Sequence, residues 1–393
     1  MRMNTVAITP IWVPMGMKVK RLRNAIAITL VFAIILLPAL QTAALPAGPG
    51  VSSTSSIVIE ASSNRVLFGT NAHKKLPMAS TTKIMTALVA LENGSLDDEV
   101  KVSSNAYGVE GSSMYLHLGE TIPLRDLLYG LMLASGNDAA VAIAEHIGGS
   151  VEGFVCMMND KAARLGLVNT HFVTPNGLHD DEHYTTAYDL AIIAAEALRN
   201  DTFAEIVSSQ YYTSEGGSIT RYFKNKNKLL WNYEGANGVK TGYTMYAGKC
   251  LVFSAERDGM QVVGVTLNSS NIFSDAKLLM DYAFANYEQK LVVSKDVPVV
   301  WVQVEDGEKN LLALYTEQDI IMPVRKGYAG SFMTRIEVPD VCRAPVQKDS
   351  AVGYLTVYDE YKHASKVVLV AGETIERPSL LDYIFRMVLK WAG

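Results

Sequence analysis

Strand-like runs lie at both ends of the segment 51–290, with helical runs between them, and this arrangement restricts the fold more than any other feature. Ser56–Glu60 and Arg65–Phe68 are short β-type runs separated by a polar turn, a pattern typical of a hairpin. Asp258-Gly259 indicates a second hairpin near the end of the segment. Runs with helical periodicity fill the middle. We therefore predict an α+β domain in which helices cover one antiparallel sheet.

The chain changes character after this segment. Over 292–376, apolar strand-like runs alternate with turns, and no long helical pattern is evident. This pattern predicts a second, smaller all-β domain. The chain has 393 residues, 49% of them hydrophobic, which is enough to bury two cores.

The first 44 residues have the order of a secretory signal peptide. Basic residues over 18–23 are followed by an apolar run over 25–40 and by small residues over 42–44. The apolar run is shorter than the ~20 residues that a spanning helix needs, and it contains Pro38. Cleavage is therefore favoured over an uncleaved anchor.

Residues 378–393 read as a short amphipathic helix. Asp382, Arg386 and Lys390 recur every four residues and form a narrow polar stripe, while apolar residues cover the rest. Such a helix suits the plane of a membrane interface, so we expect it to bind a membrane surface. Docking of the helix on the protein's own core is the alternative.

Charge and residue spacing exclude two classes of partner. Without the five basic residues of the first 44, the chain has 30 basic and 40 acidic residues, which gives no electrostatic reason to bind nucleic acid. Cys156, Cys250 and Cys342 are widely spaced, and we interpret them as small buried residues. His179 and His183 lie in a polar, loop-like stretch, where we expect solvated side chains. We predict no metal and no cofactor.

Ser80 and Lys83 provide the strongest chemical signal. The sequence predicts a helix that begins near Ser80, after Pro77, and closes at Asn93, with Gly94 in the place of a left-handed cap. Residues three apart share a helix face, so Ser80 and Lys83 should be neighbours. A buried lysine with a lowered pKa can take the proton of a serine hydroxyl.

The order of the motifs matters more than any one of them. S-x-x-K occurs again at Ser274, which we interpret as a helix surface, and S-x-N occurs at several places. K-T-G occurs once, at Lys240. Only the order Ser80, Ser135, Lys240 places the first motif at a helix start, the second after an apolar run and the third before a hairpin strand.

In this order the motifs resemble those of the penicillin-recognising serine D,D-peptidases, specifically the low-molecular-mass D-alanyl-D-alanine carboxypeptidases. They are Ser80-x-x-Lys83, Ser135-Gly-Asn137 and Lys240-Thr241-Gly242. The segments 110–114, 175–178 and 225–230 fit the same branch. The resemblance covers nearly everything from Ser56 to the end. It implies a β-lactamase/transpeptidase-like catalytic domain, a β-rich domain and a terminal membrane helix.

The function implied by the resemblance is removal of the terminal D-alanine from peptidoglycan stem peptides that end in D-Ala-D-Ala. Such an enzyme would be covalently inhibited by β-lactams and would act at the extracytoplasmic face of the cell membrane. The resemblance implies that Ser80 forms the acyl-enzyme and that Lys83 is its general base. Ser135 would relay a proton to the leaving D-alanine, and Asn137 would hold the substrate amide.

The third motif would bind the other end of the substrate. Lys240 would attract the terminal carboxylate, and the Thr241 hydroxyl would donate to it. Gly242 would let the substrate backbone approach closely. The backbone N–H groups of Ser80 and Tyr243 would form the oxyanion hole.

Three positions depart from the family pattern. Lys226 stands where some relatives carry Arg, which weakens the case for a bidentate carboxylate contact there. Tyr243 stands where some relatives have His, so the pH dependence of those relatives is not expected to apply to this chain. Asp349 occupies a turn of the β domain where glycine is common.

Two other functions share these motifs. A serine β-lactamase needs an efficient deacylating carboxylate, and the acids of the loop 177–182 lack that family's spacing. A non-catalytic penicillin-binding protein that tethers or senses the cell wall would have no reason to keep Ser80, Lys83, Ser135 and Lys240 together.

Overall fold

The structure is a computed structural model that describes residues 48–328, 330–359 and 364–379. The predicted signal segment 1–44 lies outside the described residues, as does the predicted helix 378–393 apart from its first two residues.

The first part of the chain alternates strands and helices. In chain order its elements are β1 (Ser55–Glu60), β2 (Val66–Thr70), a 3-10 turn (Ala79–Thr82), α1 (Lys83–Asn93), β3 (Glu99–Lys101), β4 (Thr121–Pro123), α2 (Leu124–Tyr129), a π-helical turn (Gly130–Ala134), α3 (Asn137–Gly148), α4 (Val151–Arg164), α5 (Ala187–Leu198), α6 (Asp201–Ser208), β5 (Tyr211–Ser214), β6 (Arg221–Lys224), α7 (Leu229–Asn232), β7 (Ala236–Thr244), β8 (Gly248–Arg257), β9 (Met260–Ser269) and α8 (Ile272–Asn286).

The core of this part is a five-stranded antiparallel sheet with the strand order β2-β1-β9-β8-β7. Both predicted hairpins are present, β1–β2 and β8–β9, and the strands from the two ends of the segment meet where β1 pairs with β9. Side chains alternate between the faces, so that Ile57 and Ile59 pack in a cluster with α5 and Val58 packs in a cluster with α8. The prediction of one antiparallel sheet covered by helices is confirmed.

The second part is all β within the described residues. Its strands are β10 (Tyr287–Val293), β11 (Val300–Glu305), β12 (Leu311–Thr316), β13 (Ile320–Arg325), β14 (Met333–Glu337), β15 (Val341–Arg343), β16 (Ala351–Tyr358) and β17 (Ala364–Ala371). Six of them form a sheet in the order β14-β16-β17-β12-β11-β15, and β10 pairs with β13. The predicted β-rich architecture is confirmed. Because β10 begins at Tyr287, it crosses the predicted boundary between 290 and 292, and the exact domain ranges stay a prediction.

The predicted helix after Pro77 differs from expectation at both ends. Its first turn, Ala79–Thr82, is a 3-10 turn, and α1 itself starts at Lys83. Gly94 ends the helix as expected, but with φ −121° and ψ 164° it is extended and not left-handed. A Cβ at Gly94 would lie 2.5 Å from Ile147 Cδ1 and 2.8 Å from Leu124 Cδ2, so a larger residue here would require these two side chains to shift.

The cysteine prediction is correct in part. Cys250 is buried in the sheet, Cys342 is half-buried, and Cys156 is exposed on α4, so the prediction is wrong for Cys156. A helix surface at Ser274 is confirmed, since this residue is exposed on α8. Among the described residues no single helix is long and apolar enough to cross a membrane, although α3 and α4 together, bent by 84°, pass that test.

A buried ion pair anchors the loop that leads into β4. Arg221 on β6 donates from both terminal nitrogens to Glu120, at 2.8 and 2.7 Å, and donates further to the carbonyl oxygens of Met114 and Tyr115, each at 3.0 Å. Burial alone would raise the pKa of Glu120, but the Arg221 guanidinium and two backbone N–H groups lower that pKa to about 2. The pair therefore holds this loop, which borders the active site, against the hairpin β5–β6.

We expect Glu120→Gln to lower the free energy of unfolding by about 3 kcal/mol, because it leaves the buried Arg221 without a counter-charge. The measurement is denaturant unfolding at neutral pH. Glu99→Gln, on the exposed side of β3, is the matched control and should change stability little. Equal effects of the two substitutions would contradict the role given to the ion pair.

Candidate active site

The 3-10 turn and the start of α1 bring Ser80 and Lys83 together. The Nζ atom of Lys83 lies 3.0 Å from Ser80 Oγ. Lys83 is completely buried, and its Nζ also donates to Asn137 Oδ1 at 2.7 Å and to the Asn176 carbonyl oxygen at 2.6 Å. The amine is thus held between the nucleophile candidate and two carbonyl acceptors from other parts of the chain.

Electrostatics favour a neutral Lys83. Burial lowers its pKa well below the ordinary value, the positive charges of Lys240 and Lys226 lower it further, and Asp138 opposes them in part. A neutral amine has a free lone pair, so Lys83 in this form can accept a proton.

Ser135 and Asn137 lie where the π-helical turn meets α3. Ser135 ends that turn in the left-handed region, with φ 65°, and its side chain is buried. Asn137 donates from Nδ2 to the Glu110 carbonyl oxygen at 2.5 Å and from its backbone nitrogen to the Ser112 carbonyl oxygen at 2.7 Å. These bonds fix the segment 110–112 beside the site.

The K-T-G motif lies on β7, the edge strand of the sheet. A Cβ at Gly242 would lie 3.0 Å from the Ser80 nitrogen and 3.1 Å from the Thr81 nitrogen, so glycine lets the strand pass against the 3-10 turn Ala79–Thr82, called the nucleophile turn after its candidate nucleophile Ser80. Lys240 is buried and donates to the Thr241 carbonyl oxygen at 3.0 Å. Burial first, and then the charge of Lys226, lower the pKa of Lys240 to about 7.

Two cavities meet at Ser80. One, of about 330 Å³, is lined by Ser135, Lys226, Thr241, Gly242 and Tyr243, among others. The other, of about 610 Å³, is lined by Asn137, Glu110, His179, Tyr243 and Tyr246, among others. Six of the eight predicted site residues therefore line these two cavities; Lys83 contacts Ser80 and Asn137, and Lys240 lies buried next to Thr241 on β7.

Sequence reasoning missed the contribution of the loop after α4. Asn176 supplies the carbonyl oxygen that binds Lys83. Gly177 has φ 84°, and a Cβ on it would lie 2.0 Å from the Ala79 carbonyl oxygen, so only glycine fits. The tight-turn signal Pro175-Asn-Gly marked this position, but its long-range contact with the nucleophile turn has no local signal.

The expectation of a solvated His183 is wrong. Its side chain is buried, with Nε2 2.8 Å from Thr82 Oγ1, and Nδ1 accepts from the Val173 backbone nitrogen at 2.9 Å. The polar run before it folds over the helix start, which the local sequence does not show. Among the described residues, no three His, Cys, Asp or Glu side chains are grouped in a way that could hold a metal ion.

Residues 41–271 match the family model described as D-alanyl-D-alanine carboxypeptidase. The chain belongs to the D-alanyl-D-alanine carboxypeptidase family. Residues 287–377 of this family member match the model described as penicillin-binding protein 5, C-terminal domain. The assignment of the chain as a serine peptidase agrees with the proximity of Ser80 and Lys83.

Relatives of this D-alanyl-D-alanine carboxypeptidase family member cover nearly the same span. The D-alanyl-D-alanine carboxypeptidase DacF of Bacillus subtilis is 33% identical over 347 residues, which are 86% of this chain and 89% of that protein. The crystal structure of penicillin binding protein 5 from Haemophilus influenzae has a TM-score of 0.70 and 30% identity, and the match covers 84% of this chain and 99% of that one.

The buried His183 predicts a pH dependence of stability. Burial lowers its pKa from 6.5 to about 4, so between these values the unfolded chain binds more protons than the folded one. The free energy of unfolding should therefore fall by up to about 3 kcal/mol as the pH is lowered from 6.5 to 4. Denaturant unfolding across this range measures the effect.

His183→Gln should remove this part of the pH dependence, since glutamine does not titrate. His171→Gln is the control, because His171 belongs to the same segment but lies nearer the surface. An unchanged slope in His183→Gln would contradict the assignment.

Proposed function

We propose that this protein is a serine-type D-Ala-D-Ala carboxypeptidase that removes the terminal D-alanine of peptidoglycan stem peptides through an acyl-enzyme on Ser80. The observation that carries the proposal is the 3.0 Å separation between Ser80 Oγ and the fully buried Lys83 Nζ. Family membership supports the reaction class, and the geometry supports the roles of the individual residues.

Lys83 is proposed as the general base. A neutral amine has two N–H groups, and two carbonyl acceptors, Asn137 Oδ1 and the Asn176 carbonyl oxygen, lie within 2.7 Å of Nζ. With both N–H groups engaged there, the lone pair is left for the Ser80 hydroxyl. The hydroxyl proton can then pass to Lys83 as Oγ attacks the carbonyl carbon of the penultimate D-alanine.

The terminal carboxylate is proposed to bind on the cationic side of the site. Lys226 and Thr241 border the smaller cavity, and Lys240, which precedes Thr241 on β7, is buried. A carboxylate bound there would direct the scissile bond across Ser80. The free edge of β7 supports an extended substrate pairing with this strand, and Asn137 borders the larger cavity that would hold the acyl-donor side.

The backbone N–H groups of Ser80 and Tyr243 are proposed to donate hydrogen bonds to the tetrahedral oxyanion. The close approach of Gly242 to the Ser80 nitrogen supports this, because it brings β7 next to the nucleophile turn. When the C–N bond breaks, the proton held by Lys83 reaches the leaving D-alanine amine by way of Ser135. Water then attacks the acyl-enzyme, with Lys83 again as base, and the shortened peptide is released.

The location follows from the substrate. Peptidoglycan lies outside the cytoplasmic membrane, so an enzyme that trims it acts there. We propose that residues 1–44 direct secretion and are cleaved, and that the helix predicted over 378–393 binds the membrane surface; the basic, apolar and small-residue order and the amphipathic pattern support these two steps.

Ser80→Ala should abolish D-alanine release from an acylated L-Lys-D-Ala-D-Ala peptide and covalent labelling by penicillin, with a loss of roughly 10³-fold or more. The control is Ser274→Ala, which alters the second S-x-x-K sequence on the exposed side of α8 and should leave both activities intact. Turnover retained by Ser80→Ala would end the proposal. Labelling without any peptide turnover in the native protein would favour a sensing role.

Lys226→Gln should move the pH profile of kcat/KM to higher pH. The charge of Lys226 contributes to lowering the pKa of both Lys83 and Lys240. Activity needs Lys83 neutral and Lys240 protonated. The value of kcat/KM should therefore rise with pH as Lys83 loses its proton and fall as Lys240 loses its proton. Removing the Lys226 charge raises both values and should shift both limbs, whereas Lys228→Gln should shift neither. An unmoved profile would contradict this electrostatic coupling.

A further inference from the structure

The residue before the proposed nucleophile has an unfavourable backbone conformation. Ala79 has φ 49°, in the left-handed region that residues with a Cβ rarely adopt. Such a conformation costs about 1–3 kcal/mol and persists only where surrounding contacts hold it. Since Ala79 directly precedes Ser80, whatever holds Ala79 also sets the direction of the nucleophile.

Two buried side chains hold this residue. Thr82 Oγ1 donates to the Ala79 carbonyl oxygen at 2.8 Å, and Thr82 Oγ1 itself lies 2.8 Å from His183 Nε2. Thr82 is completely buried, and only 3% of His183 is exposed. Neither side chain reaches the substrate cavities, and the mechanism described above uses neither.

The hydrogen-bond directions are determined. His183 Nδ1 accepts from the Val173 backbone nitrogen at 2.9 Å, so a neutral ring carries its proton on Nε2. Nε2 therefore donates to Thr82 Oγ1, and the single hydroxyl proton of Thr82 is free to donate to the Ala79 carbonyl oxygen. One continuous, directed chain runs from the loop 173–183 to the residue before Ser80.

The surroundings keep the ring neutral. Burial lowers the pKa of His183 to about 4, although the charge of Asp180 acts in the opposite direction. A second proton would have to enter at Nδ1, where it would face the N–H of Val173. The direction of this hydrogen-bond chain is thus maintained at pH values above about 4.

We propose that His183 and Thr82 are positioning residues, which orient Ser80 for acyl transfer by fixing the Ala79 carbonyl. This inference rests on the proposed function of Ser80 as nucleophile. The loop that carries His183 also supplies the Asn176 carbonyl for Lys83 and lies against Ala79 through Gly177. Loss of this hydrogen-bond chain should therefore change the position of Ser80 relative to Lys83 and leave the carboxylate-binding strand β7 unchanged.

Two amide substitutions separate this role from a structural one. In His183→Gln the amide nitrogen can occupy the Nε2 position and donate to Thr82, whereas in His183→Asn the shorter amide can replace only Nδ1. We expect His183→Asn to lower the rate constant of penicillin acylation by roughly 10-fold or more and His183→Gln to lower it much less. The dissociation constant of the non-covalent penicillin complex should be unchanged in both.

Two substitutions of Thr82 test the same hydrogen-bond chain independently. Thr82→Val removes the hydroxyl and should lower the acylation rate constant as His183→Asn does, whereas Thr82→Ser should restore it. The double variant Thr82→Val/His183→Asn should be no slower than the slower single variant, because both break one chain. His171→Asn is the surface control and should leave the rate unchanged.

Stopped-flow acylation by penicillin, thermal unfolding and D-alanine release are measured on the same purified variants. Equal rates in His183→Asn and His183→Gln, additive losses in the double variant, or rates that only follow the unfolding temperature would overturn the proposal. If His183→Asn does not fold, the comparison of Thr82→Val with Thr82→Ser provides the test, and equal acylation rate constants in these two variants would overturn the proposal. A native protein that is acylated but releases no D-alanine would overturn the proposed hydrolysis and leave the positioning test intact. A native protein with neither activity would overturn both.

Discussion

The burial of one amine, that of Lys83, is the constraint on which the site depends. A charged ammonium in this position would lack solvation, so the fold stabilises the neutral form that can act as a base. Three separate parts of the chain meet at its Nζ: the nucleophile turn, the start of α3 at Asn137 and the loop at Asn176. The rest of the domain serves to bring these parts together.

Two glycines allow this convergence because they let β7 and the loop at Asn176 approach the backbone of the nucleophile turn closely. Gly242 on β7 approaches the backbone nitrogens of Ser80 and Thr81, and Gly177 approaches the carbonyl oxygen of Ala79. A Cβ at Gly177 would lie 2.0 Å from this carbonyl oxygen and force the loop away, whereas a Cβ at Gly242 would lie 3.0 Å from the Ser80 nitrogen and require a smaller shift of β7. The turn is therefore clamped between an edge strand and a loop, which explains how an alanine with φ 49° can be maintained there.

Local patterns predicted what local geometry determines. The hairpins, the sheet and the proximity of Ser80 and Lys83 follow from turn residues and from the i,i+3 spacing. The errors concern backbone conformation and long-range packing: Gly94 ends α1 in an extended conformation beside Ile147, and His183 is buried because its loop folds over the helix start. A polar loop with several acidic residues has no local sign that one of its histidines is internal.

Burial and neighbouring positive charges explain why Lys83 and Lys240 are readily deprotonated, even though the chain carries a net negative charge overall. Burial and the proximity of Lys226 lower the pKa of both Lys83 and Lys240, so the empty site resists a full set of positive charges. A substrate carboxylate beside Lys240 would favour its protonated form and raise its pKa. Binding of an anionic peptide end would then be coupled to uptake of a proton, and a neutral ester or amide end would lose that stabilisation. In the proposed binding mode, burial of the lysines would favour substrates with a free carboxyl terminus, although Lys226 stands where an arginine could bind the carboxylate in a bidentate manner.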